Sequence, residues 1–293
     1  MSGVLPTYWT DWIADSQGFW KANGLEPETT LTNTAAGGTQ ALLANAVVIS
    51  DSGVDATIQA DLKGADIVDV ADTITAPLYS VVVKNTIHSY GDLKGKKIAI
   101  SDLQSGPTIM LKRILAANGL KDTDVTLIQS GGTPARVAAL QSGAVDAGML
   151  LPPFDFQLLD KGFSILGYTT DVIKKQTFNA INVRKSWASS NRDTLVRFLK
   201  VKKQSVDWLY DAKNKDAATE LLATKLKVPT NIASQSYDTI VTKVHMFNKD
   251  LAPAPEAIQD VITTLSELNL VPQPLPKPQQ FMDTSFVEQA LKG

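Results

Sequence analysis

An α/β chain built around two separate cores is what this sequence predicts, and three observations predict it. Runs of β-branched residues alternate with helical stretches through the first two-thirds of the chain, the pattern of βαβ units and mostly parallel sheets. One device occurs twice, as "GGTQALLANAVVISDSGVD" (residues 37–55) and "GGTPARVAALQSGAVDAGMLLPPFD" (residues 131–155). Both copies open on Gly-Gly-Thr and carry Ala-Leu-x-x-x-Ala-Val, at residues 41–47 and 139–145. Each copy reads as a glycine turn, a short helix, a strand and a loop, so each belongs to its own sheet. Finally, a chain of 293 residues is long enough for two modest domains. Chains of this size bury about three-quarters of their unfolded surface, so neither needs a disulfide or metal staple. Two such lobes would face each other across a slot walled by strand C-termini and helix N-termini, where open α/β sheets bind ligands.

The elements follow in order. "GVLPTY" (3–8) is a short apolar run that predicts a first strand. "TDWIADSQGFWKANGL" predicts a helix capped by Thr10 or Asp11 and stopped by Gly24. "EPETTLTNT" is a threonine-rich strand leading to a turn at Gly37-Gly38. "ALLAN" is helical, and "AVVIS" is a buried strand ending at a polar loop, Asp51-Ser52-Gly53. A helix over "DATIQADLKG" and strands over "ADIVDVAD", "PLYSVVVK" and "KGKKIAIS" come next. "SGPTIMLKRILAANGL" predicts a helix with Ser105 or Gly106 as cap, Pro107 near its start and Gly119 as its stop. "DVTLIQS" is a strand, the second copy of the device follows, and "FSILGY" and "FNAINV" are strands. From Asn191 the pattern becomes helical, with Leu195, Phe198, Leu199, Val206 and Leu209 at helical spacing. "KVKK" (200–203) is read as the solvated face of that helix. "VPQPLPKPQQF" is read as an extended strap across a surface.

Composition excludes several functions. Lys plus Arg (28) nearly balances Asp plus Glu (30), and a net charge of −2 gives no footprint for nucleic acid or anionic membrane. Cysteine is absent, which removes thiol nucleophiles, disulfides, thiolate metal sites and a lipoprotein anchor. His88 and His245 stand far apart, so a histidine metal site is not expected, nor any cofactor. No apolar run reaches the ~18 residues of a membrane span. "MSGVLPTYW" lacks the regions of a signal peptide, so the chain is either cytosolic or a mature form with a start Met added. "GDLKGKK" lacks the spacing and the Ser/Thr of a phosphate loop, and neither Gly-x-Ser-x-Gly nor His-Glu-x-x-His occurs.

"GFWKANGLE" (18–26), "DLKGKKIAIS" (92–101) and "ARVAALQSGAVDAGML" (135–150) carry a resemblance. Together, in this order, they resemble the nitrate/sulfonate/taurine-type substrate-binding proteins of ABC importers, which are similar in turn to the binders of thiamine-pyrimidine precursors. The resemblance extends over about residues 3–226. It implies a two-lobed α/β periplasmic-binding-protein fold of type II, with a double hinge and a ligand cleft between the lobes. The crossings would fall near residues 79–84 and 179–184, giving lobe one as 1–82 plus 182–293 and lobe two as 83–181. It also implies an extracytoplasmic monomer that delivers a small organic molecule, sulfonate-, carboxylate- or heterocycle-like, to a membrane permease, with the ATPase on another chain.

Placed on that fold, "YWTDW" (8–12) joins the first strand to the first helix and faces the ligand. Tyr8 and Trp9 would form a stacking wall, with Asp11 orienting a donor. Trp12 is either part of that wall or core, and Asp11 either meets ligand or caps the helix. "SGPT" would present Ser105, Gly106 and Thr108 at a helix N-terminus, a place for an anion or carbonyl or a plain cap. Gly38 and Thr39, and Thr133 in the second copy, are the same kind of device. Ser52 and Gly53 after a strand, Tyr79 at the first crossing, Pro153 and Phe154 after another strand, and Asn179 before the return crossing complete the set. Arg136 is either the charge partner of a sulfonate or carboxylate or one end of a salt bridge on a helix surface. The alternative is an enzyme on the same fold, of the pyrimidine-synthase or sulfinate-hydrolase kind. Those resemble this architecture but depend on cysteine, which leaves only carboxylates such as Asp11, Asp102 or Asp155 for catalysis. A sensor receptor docking to a chemoreceptor or kinase is a third possibility.

Overall fold

The structure, a computed structural model, describes residues 4–32, 34–103, 105–173 and 176–292. Its longer helices are α1 (Trp9–Ser16), α2 (Ala35–Leu43), α3 (Val54–Asp61), α4 (Gly106–Ala117), α5 (Thr133–Gln141), α6 (Arg192–Tyr210), α7 (Lys215–Leu226), α8 (Thr230–Tyr237), α9 (Pro255–Glu267) and α10 (Ser285–Leu291). The strands are β1 (Ile49–Gly53), β2 (Val68–Ile74), β3 (Ser80–Lys84), β4 (Lys97–Ile100), β5 (Thr126–Gln129), β6 (Ala147–Leu150), β7 (Phe163–Tyr168) and β8 (Asn179–Val183). These elements divide between two compact units. Unit 1 comprises Met1–Ala76, Lys175–Lys227 and His245–Gly293, and unit 2 comprises Pro77–Lys174 and Val228–Val244. The chain changes unit a few residues before each expected crossing. A boundary inside β3 or β8 would split a sheet, because β3 lies between β6 and β7 and β8 lies between β1 and β2. The excursion of Val228–Val244 into unit 2 has no counterpart in the sequence-based division.

In unit 1 the strand order is β1-β8-β2, with β8 antiparallel to both neighbours. In unit 2 the order is β5-β4-β6-β3-β7, and parallel pairing is confined to β4–β5 and β4–β6. The expectation of mostly parallel sheets is therefore corrected: β3 and β8 each run against their neighbours. Val70, Ile181 and Val183 of the unit 1 sheet pack against Leu195 and Leu199 of α6 and Phe286 and Val287 of α10. In unit 2, Val82, Ala99 and Leu150 pack against Leu140 of α5. Each such fully buried side chain contributes about 1.5–3 kcal/mol over an exposed one. The proline-rich strap closes the β2 side of unit 1, where the Asp69 N–H donates to the Phe281 carbonyl and the Asp283 N–H to the Asp69 carbonyl.

The doubled device is real in three dimensions, with one copy in each unit. In both copies the Val N–H reaches back to the helix: Val47 to the Ala41 carbonyl at 3.3 Å and Val145 to the Ala139 carbonyl at 3.4 Å. Both copies also turn through a left-handed residue, Asn45 (φ 58°) and Gly143 (φ 75°). The Gly-Gly-Thr match fails, however. Gly131-Gly132 precede α5, whereas Gly37-Gly38 lie inside α2, whose cap is Thr34 accepting from the Gly37 N–H.

Two expected strands are absent among the described residues. Pro6 begins a 3-10 turn over Pro6–Tyr8 that runs straight into α1, since its fixed φ suits a turn; residue 3 lies outside the described residues. Residues 26–32 form no strand, and Pro27 there has no N–H to give a ladder; residue 33 lies outside the described residues. The expected helix of residues 10–24 is broken at Gly18 (φ 69°), and the expected polar loop Asp51-Ser52-Gly53 belongs to β1.

Candidate functional site

The predicted residues of unit 1 gather around β1. The Tyr8 hydroxyl donates to the Asp51 carbonyl at 3.2 Å. The Asp51 carboxylate accepts from the Thr73 hydroxyl (3.0 Å), the Asn179 amide (3.4 Å) and the Lys202 ammonium (3.2 Å). Lys202 also donates to Asp11 at 2.7 Å and to the Thr10 hydroxyl at 3.1 Å. Asp11 is therefore the partner of a buried lysine and not a helix cap. Burial works against the Lys202 charge, but Asp11 and Asp51 outweigh it and hold the ammonium above its ordinary pKa. Burial raises the Asp51 carboxyl, with Lys202 opposing and Asp11 adding to the rise. Ser52 shares a hydrogen bond with Ser50 at 3.0 Å. Gly38 packs on that pair so closely that a Cβ there would lie 2.9 Å from the Ser50 hydroxyl oxygen. Gly53 ends β1 opposite Asn179. Thr39 is buried, and its hydroxyl has no hydrogen-bond partner among the described residues.

Tyr8 and Trp9 have no exposed surface and Trp12 keeps only 7% of its own, so none presents a ring to solvent. Because Trp9 opens α1, burying its large ring anchors that end of the helix. None of the three lines the cavity of unit 1, which measures about 510 Å³ and is bounded by Asp11, Trp20, Glu26, Asp51, Trp187 and Phe198 among others.

In unit 2 the predicted residues collect at one end of the sheet, where β4, β5 and β6 finish and β3 begins. Ser105 and Thr108 share a hydroxyl contact at 3.1 Å, and both donate to the Asp102 carbonyl at the start of α4. No side chain caps α4, which has Gly106 as its first residue. Arg136 is buried. Its guanidinium donates to the Met149 carbonyl (2.8 Å), the Gly131 carbonyl (3.0 Å) and the Thr133 hydroxyl (3.0 Å). The expected surface salt bridge is thus replaced by a desolvated cation held on neutral groups. Burial lowers its pKa, while Tyr79 and Asp102 lie near enough to oppose that. Burial likewise raises the Tyr79 hydroxyl. Pro153 and Phe154 follow β6, Pro153 buried and Phe154 half-buried. Beside them Asp155 accepts from the Ser80 hydroxyl at 2.9 Å, and burial pushes its carboxyl up to about 6.

Lys202 and Asp51 escaped the sequence-based selection. The solvated face read from residues 200–203 is corrected: Lys202 is 1% exposed. The signal was present, since Leu195, Leu199, Lys202, Val206 and Leu209 follow one helical stripe. A lysine on an apolar stripe calls for a buried carboxylate.

The NMT1/THI5 like family matches residues 6–215. A Brucella abortus protein named as a binding protein is 25% identical over 237 residues, which cover 77% of this chain and 71% of that one. Among solved structures, the periplasmic aliphatic sulphonate binding protein SsuA of Escherichia coli is similar with a TM-score of 0.72 at 24% identity, covering 94% of this chain and 88% of that one. The periplasmic nitrate-binding protein NrtA of Synechocystis gives a TM-score of 0.84 at 14% identity, covering 99% and 86%. Likeness at these identities shows the fold, that of periplasmic binding proteins.

Proposed function

The chain belongs to the NMT1/THI5 like family, and from that premise we propose that it is an extracytoplasmic solute-binding protein of an ABC importer. Its ligand is a small organic anion bearing a sulfonate or carboxylate, which it hands to a membrane permease. The names of the similar proteins support the transport role: one is a binding protein, one binds aliphatic sulphonates and one binds nitrate.

The observation that carries the ligand class is Arg136. A buried guanidinium whose named partners are two carbonyls and a hydroxyl keeps its charge uncompensated by them. Three of its five N–H groups are used in these bonds, leaving two for an oxyanion. The start of α4, a twelve-residue helix with no side-chain cap, adds backbone donors at the same end of the sheet. The Ser105 and Thr108 hydroxyls would turn from the Asp102 carbonyl to an arriving oxyanion. Charge-assisted pairing of guanidinium with a planar carboxylate or a sulfonate suits this geometry.

Calorimetry with short alkyl sulfonates, alkyl carboxylates and nitrate, followed by recovery of the bound compound, tests the proposal. One-to-one saturable binding with the compound unchanged is expected. Ser105→Ala should weaken it about tenfold, the loss of one hydrogen bond, with little change in melting temperature. Arg136→Lys should weaken it more, because an ammonium cannot reproduce the fork. Binding of neutral analogues as tight as that of the anions would overturn the ligand class, and a chemically altered product would replace the binder with an enzyme.

A further inference from the structure

The cavity of unit 1 has a chemistry opposite to that of the Arg136 region and shares no residue with it. Its volume of about 510 Å³ falls within the range of small-molecule sites, roughly 300–1,000 Å³. Asp11, Asp15, Glu26, Glu28 and Asp51 all line it, and among its described lining residues there is no lysine, arginine or histidine. Aromatic side chains make up the rest of its character. Trp20 and Phe198 stack with ring centroids 5.0 Å apart, and Trp187 is a further lining ring. Trp20 lies near enough to the Asp15 carboxylate to favour its charged form, so ring and charge stand together.

The nearby cations leave this excess of negative charge in place. Lys202 is spent on Asp11 and Asp51. Arg197 donates to the Asn23 and Gly24 carbonyls. Lys225 acts on Asp15, yet burial and then the charge of Asp11 win, and the Asp15 carboxyl sits above its ordinary pKa. An anion would meet repulsion throughout. A neutral ligand would make no use of the carboxylates of Asp15, Glu26 and Glu28, which stand exposed around the opening. A cation with apolar substituents satisfies both features, because aromatic faces attract cations as well as covering apolar surface.

We propose that this cavity binds a small organic cation, an alkylammonium or quaternary ammonium compound. Its charge is met by Asp15, Glu26 and Glu28, and its carbon substituents lie against Trp20, Trp187 and Phe198. The floor formed by Asp11, Asp51 and Lys202 is a fixed, internally paired wall.

Choline, n-butylammonium and the neutral choline isostere 3,3-dimethylbutanol are the probes, read by tryptophan fluorescence and calorimetry on the whole chain. Either or both cations should give saturable one-to-one binding, at least about fivefold tighter than the neutral isostere, the size expected for a cation on partly exposed aromatic rings. Which of the two binds more tightly distinguishes a quaternary from a primary ammonium ligand. The double variant Glu26→Gln, Glu28→Gln changes only exposed residues and should keep its melting temperature while losing several-fold in affinity. Trp187→Leu should lose affinity with much of the fluorescence response. Rising salt should weaken binding, since the rim charges are screened. No saturable response to either cation in the millimolar range, equal binding of the isostere, or affinity unmoved by the double variant would each overturn the assignment. Anion binding at Arg136 is unaffected by any of these outcomes.

Discussion

Lys202 in unit 1 and Arg136 in unit 2 are both withdrawn from water, and they are held by opposite means. Lys202 sits between two carboxylates, Asp11 and Asp51, with the Thr10 hydroxyl as a further acceptor. Arg136 is held by carbonyl oxygens and a hydroxyl, none of them charged. A buried ammonium is a compact charge whose desolvation must be offset by counter-charge, whereas a guanidinium spreads its charge and fits several carbonyl dipoles at once. The consequence differs in sign. In unit 1 the cation is consumed by the fold and the cavity above it stays acidic. In unit 2 the cation has neutral hydrogen-bond partners, and Asp102 acts on it only through space.

Breaking the ionic side of this comparison should have the largest effect. Lys202→Met leaves Asp11 and Asp51 buried without their cation and should lower unfolding stability by about 3–5 kcal/mol, measured by urea denaturation. Adding Asp11→Asn and Asp51→Asn to that variant should recover most of the loss, because the penalty lies in stranded charge more than in a missing contact. A cost below about 1 kcal/mol for Lys202→Met alone would mean that the ion pairs do not hold α6 to α1.

The same pair of residues shows what sequence patterning can convey. Alternation of β-branched runs and helices conveyed the α/β class, and the repeat of Ala-Leu-x-x-x-Ala-Val conveyed two separate sheets, because both are local patterns written in adjacent residues. Tyr8, Asn179 and, through Lys202, Asp11 meet at Asp51, a residue outside the expected ligand set. Strand direction was not legible, since nothing local tells β8 to run against β1 and β2. Nor was the pairing of Lys202 with Asp11, which joins residues 191 positions apart in the chain. The full burial of Tyr8 and Trp9 was not legible either, because aromatic clusters favour binding sites and cores alike.

Asp155 sharpens the comparison from the carboxylate side. It is buried like Asp11 and Asp51, but its named partners are the Ser80 hydroxyl and the Phe156 N–H in place of a cation. With its carboxyl at about 6 in the folded chain and an ordinary value near 3.8, the folded state binds the proton more tightly between those two pH values. Its contribution is then most favourable below pH 4 and declines as pH rises through 6, by about 3 kcal/mol in all for a shift of this size. Asp155→Asn keeps an acceptor for Phe156 and removes the titration. The stability of the variant relative to the parent should therefore rise between pH 4 and pH 7, as followed by urea midpoints at fixed ionic strength. A constant difference across that window would show that Asp155 is ionised throughout.

The smallest expected effect tests whether the two units share a construction or only a resemblance. Asn45 and Gly143 occupy the same place in the two copies, both left-handed, each two residues before a valine whose N–H reaches back to the helix. Nothing lies within 4 Å of where a Cβ would stand on Gly143, so backbone conformation alone decides what is tolerated there. Gly143→Ala should cost about 1–2 kcal/mol, the penalty of a Cβ in that region. Gly143→Asn should cost clearly less, because asparagine is the non-glycine residue that best tolerates the conformation and is the one unit 1 already uses. Asn45→Ala should cost about the difference between those two values in unit 1, less than Gly143→Ala. Equal costs for alanine and asparagine at position 143 would mean that the two turns differ in kind, whatever their shared spelling.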